Sequence, residues 1–145
     1  MHRPLERLLA AGAIGLALSA APAFAETMNF SAKLAGSSEV PPNQEAGTGT
    51  VTATYDTDSK DFAWTIEYSG LTGDATAAHF HGPAAEGENA DPVVPIEGEL
   101  ASPIKGNATL TEEQATDLQA GKWYFNIHTE KYPDGEIRGQ VMKAQ

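Results

Sequence analysis

The sequence predicts an all-β fold, an antiparallel β-sandwich with one short helix before the penultimate strand. Short runs of alternating or β-branched residues recur along the chain. Segments rich in Gly, Pro, Asn and Asp separate these runs, and such punctuation is typical of turns between strands. Helical spacing of apolar residues occurs in one later segment. About seven short strands at this spacing are typical of a sandwich or a barrel.

The predicted strands follow one another along most of the chain after residue 27. They are 28–34, 48–55, 62–68, 75–81, 107–110, 123–129 and 136–142, with 93–96 as a short edge strand. The clearest pair is 48–55 with 62–68, which the turn 56–60 joins into a hairpin. The Asp56-Thr57-Asp58 spacing resembles half of a calcium loop, but the later bidentate Glu of such loops is missing. The pattern therefore favours a plain turn.

One helix of two to three turns is predicted between residues 111 and 121. Thr111 is a typical N-cap residue, and acidic side chains follow it in the first turn. Ala115 and Leu118 continue at helical spacing, and Gly121 ends the segment.

Residues 1–25 have the layout of a secretory signal peptide. Arg3 and Arg7 precede an uncharged apolar stretch, and Ala23-Phe24-Ala25 is a small-x-small cleavage site. The alternative is an uncleaved membrane anchor, but the apolar run is shorter than the roughly 20 residues that a spanning helix needs. The sequence predicts export to the periplasm or the extracellular space, no stable membrane insertion, and a single mature domain over 26–145.

The composition excludes several functions and ligands. The chain has 9 basic and 20 acidic residues. Without Arg3, Arg7 and Glu6, seven basic and 19 acidic residues remain, which is a formal charge of −12. Nucleic-acid binding needs clustered Lys and Arg, so this charge argues against it. Cysteine is absent, so only His, Asp, Glu and backbone groups remain as metal ligands.

The three histidines of the mature chain are predicted to share one face of the sheet. Residues two apart on a strand point the same way, so His79 and His81 lie opposite Phe80. On strand 123–129, Trp123, Phe125 and Ile127 form an apolar face, and His128 lies opposite with Tyr124 and Asn126. If Phe80, Ile127 and Ile137 face the core, all three imidazoles project from the opposite, outer face.

This arrangement suits a nitrogen-rich metal site. A His-x-His pair on one strand and a third His from a neighbouring strand offer three imidazoles to copper, with zinc also possible. The competing interpretation is that His79, His81 and His128 are ordinary polar residues on a solvated face. Strand adjacency decides between the two interpretations, and the sequence does not establish it.

Three ordered motifs resemble the CHRD domain, which is named for its repeats in chordin and also occurs as single-domain secreted bacterial proteins. The motifs are Leu34-Ala35-Gly36-Ser37-Ser38-Glu39-Val40-Pro41-Pro42, Ala78-His79-Phe80-His81-Gly82-Pro83-Ala84, and Trp123–Thr129 followed by Tyr132–Gln140. The resemblance covers residues 27–143 and implies a β-sandwich. It does not by itself imply one function.

A second, shorter resemblance concerns the copper strand of copper/zinc superoxide dismutases. The segment 68–73 followed by Ala78-His79-Phe80-His81 is similar to the Gly-Leu turn and the His-x-His strand of those enzymes. The resemblance implies His79, His81 and His128 as copper ligands and Arg138 as the residue that attracts superoxide. The zinc-loop His/Asp cluster and the disulfide cysteines of those enzymes are missing here.

Two functions are therefore expected from the sequence. The first is an exported copper protein, and dismutation of superoxide is its possible reaction. In that function Asn126 or Glu136 orients an imidazole from behind the metal, although Arg138 can equally be a cross-strand partner of Glu136. The second is a metal-free binding or structural module of the chordin type, with the His face and the Glu39–Pro42 loop as its recognition surface. The oligomeric state is left open.

Overall fold

The computed structural model describes residues 12–17 and 24–145, so most of the predicted signal peptide lies outside the described residues. Within the described part, none of the helices has the length and apolar character needed to span a membrane. The elements in chain order are β1 Thr27–Ala35, a 3₁₀ turn Gly36–Ser38, β2 Thr48–Asp56, β3 Asp61–Ser69, β4 Ala75–His81, β5 Pro92–Pro95, β6 Ile104–Thr109, α1 Glu112–Gln119, β7 Trp123–Thr129 and β8 Ile137–Lys143.

The eight strands among the described residues belong to one antiparallel sheet in the order β5-β4-β7-β8-β1-β2-β3-β6. In β1 every second residue from Met28 to Leu34 is buried, and those between are exposed. This alternation is the period of a strand with one face on the core. The sheet curls on itself so that its two halves pack face to face. The predicted all-β class, the sandwich-like packing and the single helix before the penultimate strand are confirmed.

The hairpin of β2 and β3 forms around the turn predicted at residues 56–60. Oδ1 of Asp56 accepts hydrogen bonds from the backbone N–H groups of Asp58 at 2.8 Å and Ser59 at 2.9 Å. These bonds hold the carboxylate within the turn itself. Lys60 has φ of 65° and closes the turn. Asp56 therefore acts as a turn residue.

The helix α1 begins at the predicted cap. The Thr111 side chain accepts a hydrogen bond from Gln114 N, and the Gln114 side chain accepts one from Thr111 N. Such a reciprocal pair satisfies two backbone donors at the helix start. Ala115 and Leu118 are buried, so the helix packs one apolar edge on the end of the sheet.

An aromatic cluster fills the core between the two halves of the sheet. Phe80 of β4 lies at its centre, with ring centroids 5.1 Å from Phe62, 5.4 Å from Trp64 and 4.8 Å from Phe125. Burial of Phe80 on this side turns His79 and His81 to the other side of β4. The core therefore determines which face of the sheet carries the histidines.

Candidate metal centre

Three adjacent strands, β4, β7 and β8, carry the candidate site. In the antiparallel register His79 lies opposite Asn126, Ala77 lies opposite His128, and Asn126 lies opposite Arg138. Ile127 and Ile137 face the core and are fully buried. Their polar neighbours consequently meet on the other face, as the sequence pattern predicts.

The structure brings His79, His81 and His128 together. Nδ1 of His79 and Nε2 of His128 are 3.1 Å apart. One ring nitrogen from each of the three histidines lies within 4.8 Å of the others. Two nitrogens at about 2.0–2.1 Å from one metal ion, with an angle of about 90–110° between them, are about 2.9–3.4 Å apart. The His79–His128 contact is a hydrogen-bond distance, and it also lies within the range that two nitrogens on one metal ion span.

Backbone carbonyls orient two of the three rings. Nδ1 of His81 lies 2.9 Å from the carbonyl oxygen of Ala90, and Nδ1 of His128 lies 2.9 Å from that of Pro133. Because a carbonyl oxygen only accepts, each Nδ1 donates its hydrogen to it. Nε2 of His81 faces a second acceptor, Oδ1 of Asn126. In a neutral ring of His128, Nε2 carries the lone pair and Nδ1 is held by the carbonyl. Metal-binding histidines in proteins usually have this arrangement.

The face that carries the histidines is not solvated. His81 is 7% exposed and His128 is 9% exposed, while His79 is half-buried. Every residue of β7 is buried, including those on this face. The carbonyl contacts show why, since the loops before β5 and before β8 fold over the sheet. Two of the three histidines therefore lie under loops instead of on a solvated face, and His79 is partly exposed.

A stacked arrangement also fixes the plane of His81. The rings of His81 and Tyr124 are 4.6 Å apart with an angle of 6° between their planes. The Tyr124 hydroxyl donates to Ala90 O at 3.0 Å and accepts from Ala90 N at 3.1 Å. The same carbonyl therefore meets both His81 and Tyr124. This shared contact leaves His81 little freedom to rotate.

Of the two residues expected behind the metal, Asn126 contacts a histidine. Oδ1 of Asn126 lies 2.9 Å from Nε2 of His81. Glu136 is fully buried and accepts hydrogen bonds from Thr72 N at 2.9 Å, from the Thr72 hydroxyl and from the Thr129 hydroxyl at 2.9 Å. In the described part of the chain the hydrogen bonds of its carboxylate go to these two threonines instead of to an imidazole, so the expectation that Glu136 orients a ring is not met.

Arg138 lies under the loop that covers His81. Its guanidinium carbon is 3.5 Å from the centre of the Tyr124 ring. Nη1 donates to Asn89 Oδ1 at 2.7 Å, and Nη2 donates to the carbonyl of Glu88. Its side chain is almost fully buried. A cross-strand pair of Arg138 with Glu136 does not form, because Glu136 directly precedes the strand that carries Arg138. Arg138 instead pairs across the sheet with Asn126 and donates to the loop.

The surroundings lower the pKa of two of the three imidazoles. Burial lowers the pKa of His79, and the neighbouring His128 and His81 lower it further. Burial also lowers the pKa of His81, against the opposing effect of its hydrogen bonds to Ala90 and Asn126. A metal ion binds the neutral ring, so both effects reduce competition from protons.

The sequence did not predict that the Glu39 side chain is buried in this region. The residue was assigned to a recognition loop, but its side chain turns inward and is 5% exposed. Burial raises its pKa to about 7, although Arg138, Asn126 and the Val40 N–H oppose that rise. The signal available in the sequence was the acidic residue directly before Val40-Pro41-Pro42, and it did not indicate which way the carboxyl points.

The fold and the site define a class: a small antiparallel β-domain with a cluster of three histidines on one covered face of its sheet. A family model for the CHRD domain matches residues 30–141. The chain belongs to the CHRD domain family. No curated protein and no solved structure matches it at a significant level.

Proposed function

We propose that this protein binds a single copper ion through His79, His81 and His128, in the periplasm or outside the cell. Two observations support the ligand set. One nitrogen from each histidine lies within 4.8 Å of the others, and His81 and His128 each direct Nδ1 at a backbone carbonyl. The first observation carries the proposal, because it gathers one nitrogen from each of three imidazoles at one place on the sheet.

Copper is preferred over zinc on the basis of the ligand set. Three imidazoles without a carboxylate suit both metals, but such nitrogen sites bind Cu²⁺ more tightly than Zn²⁺. His79 is half-buried, whereas the other two histidines are buried. A metal ion would therefore be reached from the side of His79, and a small ligand would approach it from there.

A narrower function is dismutation of superoxide at this copper. The approach from the side of His79 would admit a small anion. Arg138 is the candidate for attracting it, and its charge is sensed at His81, whose pKa it lowers. Two of its terminal nitrogens already hold the loop at Glu88 and Asn89. Arg138 would thus act through its charge at a distance, not by binding the anion directly.

Titration of the purified full-length chain with Cu(II) and with Zn(II) tests the proposal. We expect one tightly bound copper per chain with a nitrogen-dominated EPR spectrum. His79→Ala and His128→Ala should each weaken binding by at least about 100-fold, more than the 10–100-fold typical of residues behind a metal. Bound copper should also raise the unfolding temperature, because it binds only the folded chain.

His2→Ala is the matched control, since His2 is the remaining histidine and belongs to the predicted signal peptide. It should leave the copper stoichiometry and the EPR spectrum unchanged. Copper bound without faster decay of superoxide would restrict the function to storage or transfer of the metal. No stoichiometric copper in the wild-type chain would overturn the proposal and leave a metal-free recognition module.

A further inference from the structure

Thr129 directly follows the candidate ligand His128 and is almost fully buried. Its hydroxyl makes two hydrogen bonds with different partners. It donates to Oε1 of Glu136 at 2.9 Å and accepts from the N–H of Tyr132 at 3.2 Å. A hydroxyl has one hydrogen to donate, so the carboxylate fixes where that hydrogen points and leaves a lone pair for Tyr132. The Thr129 hydroxyl is therefore held from both sides.

The carboxylate that anchors this hydroxyl is itself fixed in place. Besides the Thr129 hydroxyl, the buried Glu136 carboxylate accepts from the N–H of Thr72 at 2.9 Å and from the Thr72 hydroxyl. The backbone N–H of Glu136 donates to Ile127 O at 2.8 Å, which ties the residue to β7. Burial of a carboxylate is costly unless donors satisfy it. These donors make Glu136 a fixed point between the start of β8, the end of β7 and the segment before β4.

The turn between β7 and β8 is built on Thr129. The backbone N–H groups of Thr129 at 3.2 Å and Gly135 at 3.0 Å both donate to the carbonyl of Tyr132. Together with the bond from Tyr132 N to the Thr129 hydroxyl, both backbone polar groups of Tyr132 are bound. Pro133 comes next and has no N–H of its own, and its carbonyl accepts from Nδ1 of His128 at 2.9 Å. The contacts at Tyr132 therefore set the position of the carbonyl that holds His128.

We propose that Thr129 is a positioning residue of the candidate metal centre, because its hydroxyl holds the turn whose Pro133 carbonyl fixes the His128 ring. This inference rests on the proposed copper site and names the residue that prepares one of its ligands. With its hydrogen on Nδ1, His128 presents Nε2 to the site, where Nδ1 of His79 lies 3.1 Å away. Without the hydroxyl, the turn loses its bond to Tyr132 N, and the His128 ring is free to rotate and to carry its hydrogen on either nitrogen.

Two substitutions at Thr129 test this role by titration of the full-length chain with Cu(II). Thr129→Val keeps nearly the same volume and removes the hydroxyl, whereas Thr129→Ser keeps the hydroxyl and removes the methyl group. We expect Thr129→Val to weaken Cu(II) binding about tenfold, as is typical of residues behind a metal, and Thr129→Ser to stay within about twofold of the wild type. A residue that only fills space would give the opposite order, because serine leaves a gap in the packing and valine does not.

Two controls separate this effect from general damage to the fold. Thr116→Val removes a threonine hydroxyl that donates to Glu112 O at 2.9 Å on α1, and it should leave the copper affinity unchanged. In a His128→Ala background, Thr129→Val should cause no further loss of affinity, because both changes act on the same ligand. Equal affinities in Thr129→Val and Thr129→Ser, weaker binding in Thr129→Ser, or an additive loss in the double variant would overturn the inference.

NMR of the metal-free protein gives a readout that does not depend on copper. In the wild type, Nδ1 of His128 should carry a hydrogen that exchanges slowly with solvent, since it is bound to Pro133 O. This signal should persist in Thr129→Ser and disappear through fast exchange in Thr129→Val. Its absence from the wild type, or its persistence in Thr129→Val, would overturn the inference alone. If the wild-type chain binds no copper, the proposed function fails, and this signal still decides whether Thr129 positions His128.

Discussion

At the scale of single residues, the site combines two imidazoles of lowered pKa, His79 and His81, with one buried carboxyl of raised pKa, Glu39. The pKa shifts of the two kinds of group change the stability of the fold with pH in opposite directions. Lowered pKa values at His79 and His81 mean that the unfolded chain binds more protons, so this part of the stability is lost as the pH falls below about 6.5. The raised pKa of Glu39 means that the folded chain binds more protons, so its contribution is lost as the pH rises.

Glu39→Gln isolates the contribution of the Glu39 carboxyl to the pH dependence of stability. Folding raises the pKa of Glu39 from 4.5 to about 7. The folded state therefore loses stability relative to the unfolded state as the pH rises through this range. A shift of this size corresponds to roughly 3 kcal/mol at most. We expect Glu39→Gln to be more stable relative to wild type at pH 8 than at pH 4.5, which means that its free energy of unfolding minus that of wild type is larger at pH 8. Urea denaturation at both pH values measures the difference.

The comparison with wild type removes the histidine contribution, which is the same in both proteins. A difference between wild type and Glu39→Gln that does not depend on pH would show that Glu39 keeps an ordinary pKa in the folded chain.

At the scale of elements, β7 shows how pattern and position together create the site. Its apolar residues Trp123, Phe125 and Ile127 alternate with Tyr124, Asn126 and His128, which is the pattern of a strand with one face on the core. Yet all of them are buried. The polar half is covered by loops, and the coverage turns ordinary strand positions into a shielded site.

The helix α1 offers a separate prediction about an element. Thr111→Ala removes the side-chain acceptor for Gln114 N, and loss of such a cap costs about 1 kcal/mol. We expect a corresponding fall in the free energy of unfolding with unchanged copper binding, measured by urea denaturation. Gln119→Ala at the exposed end of the same helix is the control and should change stability by less than about 0.5 kcal/mol. Equal losses in both variants would contradict the capping interpretation.

At the scale of the whole molecule, the aromatic cluster around Phe80 joins the two halves of the sheet. Phe80 packs against Phe62 and Trp64 of β3 and against Trp123 and Phe125 of β7. Phe80→Ala should lower the free energy of unfolding by about 3–5 kcal/mol, because it removes transfer energy and leaves a cavity. Thermal and urea unfolding measure this loss. Met142→Ala, at a side chain that is 52% exposed, should have little effect. A small loss in Phe80→Ala would mean that the two halves are held together elsewhere.

Much of this architecture could be predicted from the sequence because its causes are local. Alternation along 28–34 and 123–129 is imposed by the strand period, and the Asp56 turn and the Thr111 cap are completed within a few residues. The same period placed His79, His81 and His128 on the face opposite Phe80 and Ile127. The candidate ligands and their common face were therefore determined by the sequence by itself.

Only the tertiary structure decided what surrounds those ligands. The pairing of β4 with β7 brings together residues that are 49 apart in the sequence, His79 and His128. The inward turn of Glu39 and the loop contacts of Arg138 depend on segments that meet only after the sheet has formed. Strand period tells which way a side chain points, but it carries no information about which loop will cover it. That is why the sequence located the histidines and the fold supplied their carbonyls and their shielding.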